Sequence, residues 1–402
     1  MLTGCASSMR THLDKIQNDF ATGKFEQITA DKNIQDENNL DLLIGATALF
    51  HENKFSESDA AFEKFNKQNI DETSSSLSRE TTGLLFGQGA NSYKPYMMDS
   101  LFVSYYQIWN LLATSDWANA RVVINQSYER QKNMSLEYKK LIEKNKTELN
   151  DSTELKDELN KNKSDWAAFS DIMNPALMYL SGIYFLNDGD FANAETYLKR
   201  ANGMMPDNTF IKTDLEYAQK HQKPKNTTWI FTDSGFAPRL RDKDFSIYVP
   251  SVGVVYFSVS EPYFNKTYSM PKDSQLLSDI DKMFLTEYNE YRVNEILRAY
   301  TSAASKAALQ ATMYNQSNKN SGVIFGLLSS VYTISSSNAD VRTWATLPKQ
   351  IFVQRIDRNK TNIDDINIDS DEIKSQIKTS NNNLIYVRQH DIITDMKFIN
   401  LK

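Results

Sequence analysis

The sequence predicts an α+β protein, an N-terminal α-helical solenoid followed by a smaller α+β domain. Three observations carry that reading. Up to Gln222, apolar residues recur at helical intervals in paired segments separated by short turns. After Lys223 the pattern changes to short runs rich in β-branched and aromatic residues, punctuated by Pro and Gly. Hydrophobic residues make up 40% of the chain and charged residues 24%, enough to bury a sizeable core. At 402 residues the chain exceeds the usual size of one domain. The expected division is an anchor segment over 1–8, a helical domain over 9–222 and an α+β domain over 223–402.

Composition excludes several classes. A net charge of −6 argues against a general nucleic-acid binder, which normally shows a basic face. One cysteine excludes an intrachain disulfide framework and fits an oxidising compartment. No run reaches the roughly 18 apolar residues that a spanning helix needs. The longest candidate, Gly322 to Ile334, is shorter and contains two serines. It reads as a packed core segment, with insertion into a bilayer or a partner as the alternative.

The sole cysteine follows Leu2-Thr3-Gly4, and Leu2-Thr3-Gly4-Cys5 resembles a bacterial lipobox. In that motif the thiol receives a diacylglycerol and the chain is cut just before it. The small residues Thr3 and Gly4 suit a peptidase that needs an uncrowded, extended site. A signal also has a basic n-region and an apolar h-region. Only Met1 precedes Leu2 here, so that portion is expected upstream, left out by a start assigned too late or by trimming of the chain. More than one acyl chain would be needed for firm anchoring, since a single chain holds a protein marginally. Ala6, rather than an aspartate, after the cysteine points to the outer membrane in a Gram-negative host.

Among the helical segments, "NPALMYLSGIYFLNDGDFANAETYLKRANGMMPDN" matches the 34-residue tetratricopeptide (TPR) pattern almost throughout. Met178, Gly182 and Phe185 share one face of its first helix, and Gly189-Asp190-Phe191 makes the turn. Ala194, Leu198 and Ala201 line the second helix, and Pro206 closes the unit. Gly182 and Ala194 belong where two helices cross closely. Leu42, Ala46 and Leu49 before Asn53-Lys54-Phe55, with Phe62 and Phe65 after, repeat the arrangement. So do Tyr105, Ile108 and Leu111 before Asp116-Trp117, with Ala120 and Ile124 after. A fainter echo surrounds Phe25. The turn aromatics Phe25, Phe55, Trp117 and Phe191 fall about one, two and two repeat lengths apart, which predicts a TPR-like stack of irregular hairpins. Such stacks leave a concave face for partners, an expectation from the fold alone. The charged stretch from Tyr128 to Trp166 reads as a projecting helical hairpin or a solvated insert.

In the second half, "TWIFTDSG", "FSIYVPS" and "GVVYFSVS" read as strands. Leu277, Ile280, Phe284, Tyr288, Tyr291, Ile296, Tyr300, Ala304, Ala307 and Ala311 recur at helical intervals, predicting one long amphipathic helix or two. Gln350–Ile356 reads as a strand, and "KTNIDDINIDSDEIKSQIKTSNNN" as a polar loop. "NLIYVRQ" and "MKFINLK" read as a closing antiparallel pair. The expected product is a sheet with helices on one face.

Three segments then carry a resemblance. They are "TTGLLFGQGANSYKPYMMDSLFVSYYQIWNLLATSDWANARV", "WIFTDSGFAPRLRD" with Gly235, Ala237 and Pro238, and "ADVRTWATLPKQIFVQRI" with Asp340, Arg342, Trp344, Leu347 and Pro348. Together they resemble an uncharacterised family of bacterial TPR-like cell-envelope lipoproteins with a C-terminal α+β domain. The similarity runs over most of 80–356, and the last segment is the most specific. The sequence departs from the family at Val123-Ile124-Asn125 and in its asparagine-rich tail. The resemblance implies a cell-envelope location, and some members lie beside genes for lipoproteins that activate peptidoglycan synthases.

No motif names a reaction. His12, His51, His221 and His390 are far apart without paired spacing, so no metal site is expected. No G-x-S-x-G elbow occurs. Gly83, Gly87 and Gly89 lack the Gly-Lys-Ser/Thr of a phosphate loop and read as a connector. Asp340, Arg342 and Trp344 are the candidate interaction residues. If "VRTW" is extended, Arg342 and Trp344 share a side and form a cation–π pair or a peptide-binding rim. Alternatively, Asp340 and Arg342 form a structural bridge at a change of secondary structure. The expected function is a non-enzymatic, cofactor-free scaffold, lipid-anchored through Cys5 on the periplasmic face of the outer membrane. Its partners would be other envelope proteins and not nucleic acid. The alternatives are a C-terminal enzyme or small-ligand domain near Asp340, Arg342 and Gly235, or a structural subunit of an envelope ring or machine.

Overall fold

The computed structural model describes residues 4–31, 38–69, 93, 95–150, 174–249, 253–291, 340–363, 368 and 370–401. The glycine connector over 83–92, the latter part of the charged stretch beyond 150, the helix positions beyond 291 and the 322–334 run lie outside these residues.

The first half is helical. Among the described residues four helix pairs follow one another: α1 (Gly4–Ala21) with α2 (Phe25–Thr29), α3 (Asn39–His51) with α4 (Phe55–Asn69), α5 (Met97–Ala113) with α6 (Trp117–Asn150), and α7 (Pro175–Asp188) with α8 (Phe191–Met204). A single helix, α9 (Thr209–Gln219), follows. All four corners have one construction. Gly23, Asn53, Ser115 and Gly189 adopt left-handed backbone, with φ of 71°, 62°, 58° and 85°. The next residue's N–H reaches back five positions: Lys24 to Asp19, Lys54 to Leu49, Asp116 to Leu111 and Asp190 to Phe185, at 2.7–3.0 Å. This is the six-to-one bond that closes a helix whose last residue turns left-handed. The aromatic that opens each second helix stands one residue further on. The turn aromatics legible in the sequence are thus the first residues of α2, α4, α6 and α8. Asn38, Asn174 and Asn208 start α3, α7 and α9 by accepting two backbone N–H bonds each.

The three helices α3, α5 and α7 form an inner row, and α4, α6 and α8 lie outside them. α5 is buried from Met97 to Leu112 and α7 from Ala176 to Asn187. Gly182 lets α7 and α8 approach closely. A Cβ placed there would stand 2.6 Å from Leu198 Cγ.

The sheet begins just after α9, where the sequence pattern changes. Among the described residues seven strands form: β1 (Thr227–Ser234), β2 (Arg239–Val249), β3 (Gly253–Tyr263), β4 (Gln275–Asp279), β5 (Gln350–Asp357), β6 (Asn383–Gln389) and β7 (Ile393–Asn400). Five make a mixed sheet in the order β4-β5-β1-β6-β7. β1 pairs antiparallel with β5 and parallel with β6, and β6 and β7 are antiparallel as the sequence predicts. β1 is buried at every residue, as a central strand must be. β2 and β3 stand apart as a two-stranded ribbon.

Three expectations need correction. Leu277 was expected at the start of a helix, but Gln275–Asp279 is strand β4, and the helix runs over 280–291. Hydrogen bonding along β5 outweighs the helical spacing of Leu277 and Ile280 there. The polar "loop" contains a helix, α10 (Asp371–Thr379), capped by the Ser370 side chain and carrying Ile373 and Ile377 one turn apart. Those two residues pack with Ile230, Ile356, Ile385 and Val387 on the sheet face opposite the helical half. The sheet is therefore covered on both faces rather than one. On its other face, Phe231, Tyr386, Leu384, Ile351 and Val353 share a single continuous core with α3, α5 and α7. The inner helices thus pack against the chain's own sheet.

Candidate functional site

Asp340, Arg342 and Trp344 lie just before β5, and they divide into two roles. Arg342 grips Asp340 with both arms of its guanidinium, Nε to Oδ1 at 2.8 Å and Nη2 to Oδ2 at 2.7 Å. The Arg342 backbone N–H also donates to Oδ1 at 3.1 Å, which closes a tight local clasp. Trp344 is a core residue, only 2% exposed. Its indole N–H is shared between Thr346 Oγ1 at 2.8 Å and Thr47 Oγ1 of α3 at 3.1 Å. Its ring lies about as far from Phe62 as from Tyr106, at 6.0 and 6.1 Å. The Arg342–Asp340 pair remains partly open to solvent. Trp344 offers no surface to a partner, and it ties the segment before β5 to the helical half.

The residues that sequence reasoning missed lie between the inner helices and the sheet. Alternation along β1 turns Trp229, Phe231 and Asp233 to the helices, and along β6 it turns Leu384, Tyr386 and Arg388 the same way. Asp233 and Arg388 are register partners, both fully buried. The Asp233 carboxylate accepts hydrogen bonds from Tyr386 at 2.9 Å, Tyr105 at 3.1 Å and Tyr106 at 3.2 Å. Burial pushes its carboxyl up to about 6, against the pull of Arg388 and the three hydroxyls. Arg388 donates from Nη2 to Gly235 O at 2.8 Å and Thr346 O at 3.2 Å, and its guanidinium lies over Phe20 and Phe236. Gly235 holds φ at 66°, and a Cβ there would press on Tyr268 and Lys349. The Gly-x-Ala-Pro element is thus the loop that carries β1 past Arg388.

One step along the sheet, His51 Nδ1 of α3 meets Asp395 Oδ2 of β7 at 2.7 Å, and Lys397 Nζ meets the same carboxylate oxygen at 2.8 Å. Burial drops the His51 imidazole to about 4, despite Asp395. Burial alone would raise Asp395, but the His51 hydrogen bond and Lys397 outweigh it and hold the carboxyl below its usual range. Phe20, Phe25 and Phe50 surround the imidazole at 4.8–5.1 Å. His390 stacks on Phe236 at 4.3 Å, and burial with nearby Arg388 pushes it down to about 2. A third tie joins Asp214 of α9 to Tyr179, Trp229 and Arg355 at 2.6–2.7 Å.

This arrangement suits cross-linking of the two halves more than proton transfer. A general base must reach a substrate proton, and His51 is enclosed by aromatic rings and a carboxylate. Among the described residues, no group of three or more His, Cys, Asp or Glu is placed to hold a metal ion. No helix of the described residues is long and apolar enough to cross a membrane. Cys5 belongs to the first turn of α1. The seam was partly legible in advance, since Asp233 and Arg388 occupy inward positions of strands whose other inward residues are apolar. Comparison with models of protein families, with curated proteins and with solved structures gives no match.

Proposed function

We propose that this chain is a lipid-anchored cell-envelope protein that serves as a scaffold for other envelope proteins. The observation that carries this reading is Leu2-Thr3-Gly4-Cys5 in a chain with no other cysteine. Acylated at Cys5 and held on the periplasmic face of an outer membrane, it would raise the effective concentration of its partners there. The four helix pairs, with their common corner and aromatic first residue, support a TPR-like origin for the helical half. The packing supports a partner surface on the outside of the helical half. With the inner row turned to the sheet, partners are met by the outer helices, above all α6, where Val122 and Leu136 are about half exposed. Asp340 and Arg342 are the candidate polar contacts.

The test compares wild type with Cys5→Ser in the native host by membrane fractionation, followed by crosslinking and pull-down from membranes. The wild type is expected in the outer-membrane fraction with recurrent protein partners, and Cys5→Ser in the soluble fraction with those partners reduced. Equal membrane retention of both proteins would overturn the anchor. A fully retained wild type that captures no protein would overturn the scaffold.

A further inference from the structure

The Lys397 side chain on β7 brings an amine, a carboxylate and a carboxamide together. Nζ donates to Asp395 Oδ2 on the same strand at 2.8 Å and to Asn53 Oδ1 at the α3–α4 corner at 2.7 Å. A longer bond runs to the His51 carbonyl at 3.4 Å. The Lys397 side chain is only 3% exposed. Nζ lies 4.9 Å from the centre of the Phe50 ring and 5.3 Å from that of Phe55. The contact between Lys397 and Asn53 joins positions 344 residues apart. The corner itself does not require an amide. It needs left-handed backbone, which Gly23, Ser115 and Gly189 supply at the other three corners.

The distances allow more than a hydrogen bond. A carbonyl bond is about 1.23 Å long, so Asn53 Cγ stands within about 3.9 Å of Nζ. Reacting atoms held at about 3–3.5 Å are positioned for attack, so a small turn of the amide suffices. Asn53 is exposed, which gives its amide room to turn and gives a leaving group a path to solvent. A lysine becomes a nucleophile where apolar surroundings favour its free amine. Burial draws the Lys397 amine below its usual range, although Asp395 opposes this. The Asp395 carboxyl is held ionised by His51 and Lys397, so it starts as a proton acceptor.

We propose that Lys397 and Asn53 join as an intramolecular isopeptide, a covalent tie between β7 and the α3–α4 corner. Asp395 Oδ2 takes one proton from the Lys397 ammonium. Nζ then attacks Asn53 Cγ, forming the C–N bond as the carbonyl pair moves to Oδ1. Asp395 returns its proton to Nδ2 and takes a second one from Nζ. The pair on Oδ1 re-forms the carbonyl, the Cγ–Nδ2 bond breaks, and ammonia leaves. Ammonia removes the last proton from Asp395 and departs as ammonium. The step needs no oxidant and no co-reactant, and it does not depend on the anchor or on the scaffold reading. The closed loop would restrict the unfolded chain as a long-range disulfide does.

The test is the intact mass and peptide map of the full chain carrying Cys5→Ser, so that neither a thiol nor a lipid alters the mass. The chain is expected to be lighter than its sequence mass by one ammonia. Trypsin is expected to release a branched peptide that joins 33–54 to 389–402 and is uncut at Lys397. Asn53→Gly keeps a residue suited to the left-handed corner, and Lys397→Met keeps an unbranched side chain in the enclosure. Both are expected to show wild-type circular dichroism, their full sequence masses and no branched peptide. Asp395→Asn is expected to stay at its full mass when the parent chain is converted. A parent chain at its full sequence mass after prolonged incubation at neutral pH would overturn the inference. So would the same loss of ammonia in Lys397→Met, which would mark a succinimide at Asn53 instead.

Discussion

The close crossing of α7 and α8 at Gly182 gives a coupling that can be worked out in advance. The perturbation is a double-mutant cycle of Gly182→Ala and Leu198→Ala. A Cβ at 182 would lie 2.6 Å from both Leu198 Cγ and Cδ2, well inside contact distance. Leu198 is fully buried, so a shift of its side chain disturbs the packing around it. Overpacking of this kind costs about 1–3 kcal/mol. Replacing a mid-helix glycine by alanine returns about 0.5–1 kcal/mol. Gly182→Ala alone should therefore destabilise by about 0–2.5 kcal/mol. Leu198→Ala alone leaves a cavity and should cost about 2–5 kcal/mol. In the double variant the clash is gone and the gain in helix propensity remains. It should therefore be more stable than the sum of the single effects by the whole overpacking term, about 1–3 kcal/mol. The assay is denaturant unfolding of all four proteins followed by circular dichroism, compared at equal m-value. Single effects that add to within about 0.5 kcal/mol, as independent sites do, would refute the close crossing.

Two further predictions concern the ties between the halves. Trp344→Ala should destabilise by about 3–5 kcal/mol, as loss of a buried tryptophan does. Arg342→Ala removes a partly exposed pair and should cost about 1 kcal/mol or less. Thermal melts of the two variants check this, and the reverse order would contradict the assignment of Trp344 to the core. His51 has a folded value near 4 against 6.5 unperturbed, so its contribution to stability is complete above pH 6.5 and is lost as pH falls toward 4. At most this amounts to about 3.5 kcal/mol, from roughly 1.4 kcal/mol per unit over that interval. His51→Asn should lose less stability than wild type over the same range, and identical pH profiles of the two proteins would contradict a neutral, buried His51.

Much of the architecture was readable because local chemistry decides it. Gly-Lys-Phe, Asn-Lys-Phe, Ser-Asp-Trp and Gly-Asp-Phe each combine a residue that tolerates left-handed backbone with an aromatic to open the next helix. The strands of 228–235, 350–356 and 383–389 are dense in β-branched and aromatic residues, and nothing competes with that signal. The misreadings arise where distant contacts win. Gln275–Asp279 follows β5 although Leu277 suits a helix, and α10 has only Ile373 and Ile377 to announce it among polar neighbours. The seam was hidden for a related reason. His51, Asp395 and Lys397 come from α3 and β7, 344 residues apart for the first two, and no spacing rule connects them. The packing of the inner helices against the sheet is also a global result. It turns the inner helices, which would line a concave face, toward the chain's own sheet.

The account rests first on the fate of Cys5, and mass spectrometry of the mature N-terminal peptide from native membranes tests it most directly. The predicted result is a chain that begins at Cys5, carrying the added mass of a diacylglycerol thioether. A peptide continuous through Gly4 into an unmodified Cys5 would contradict it.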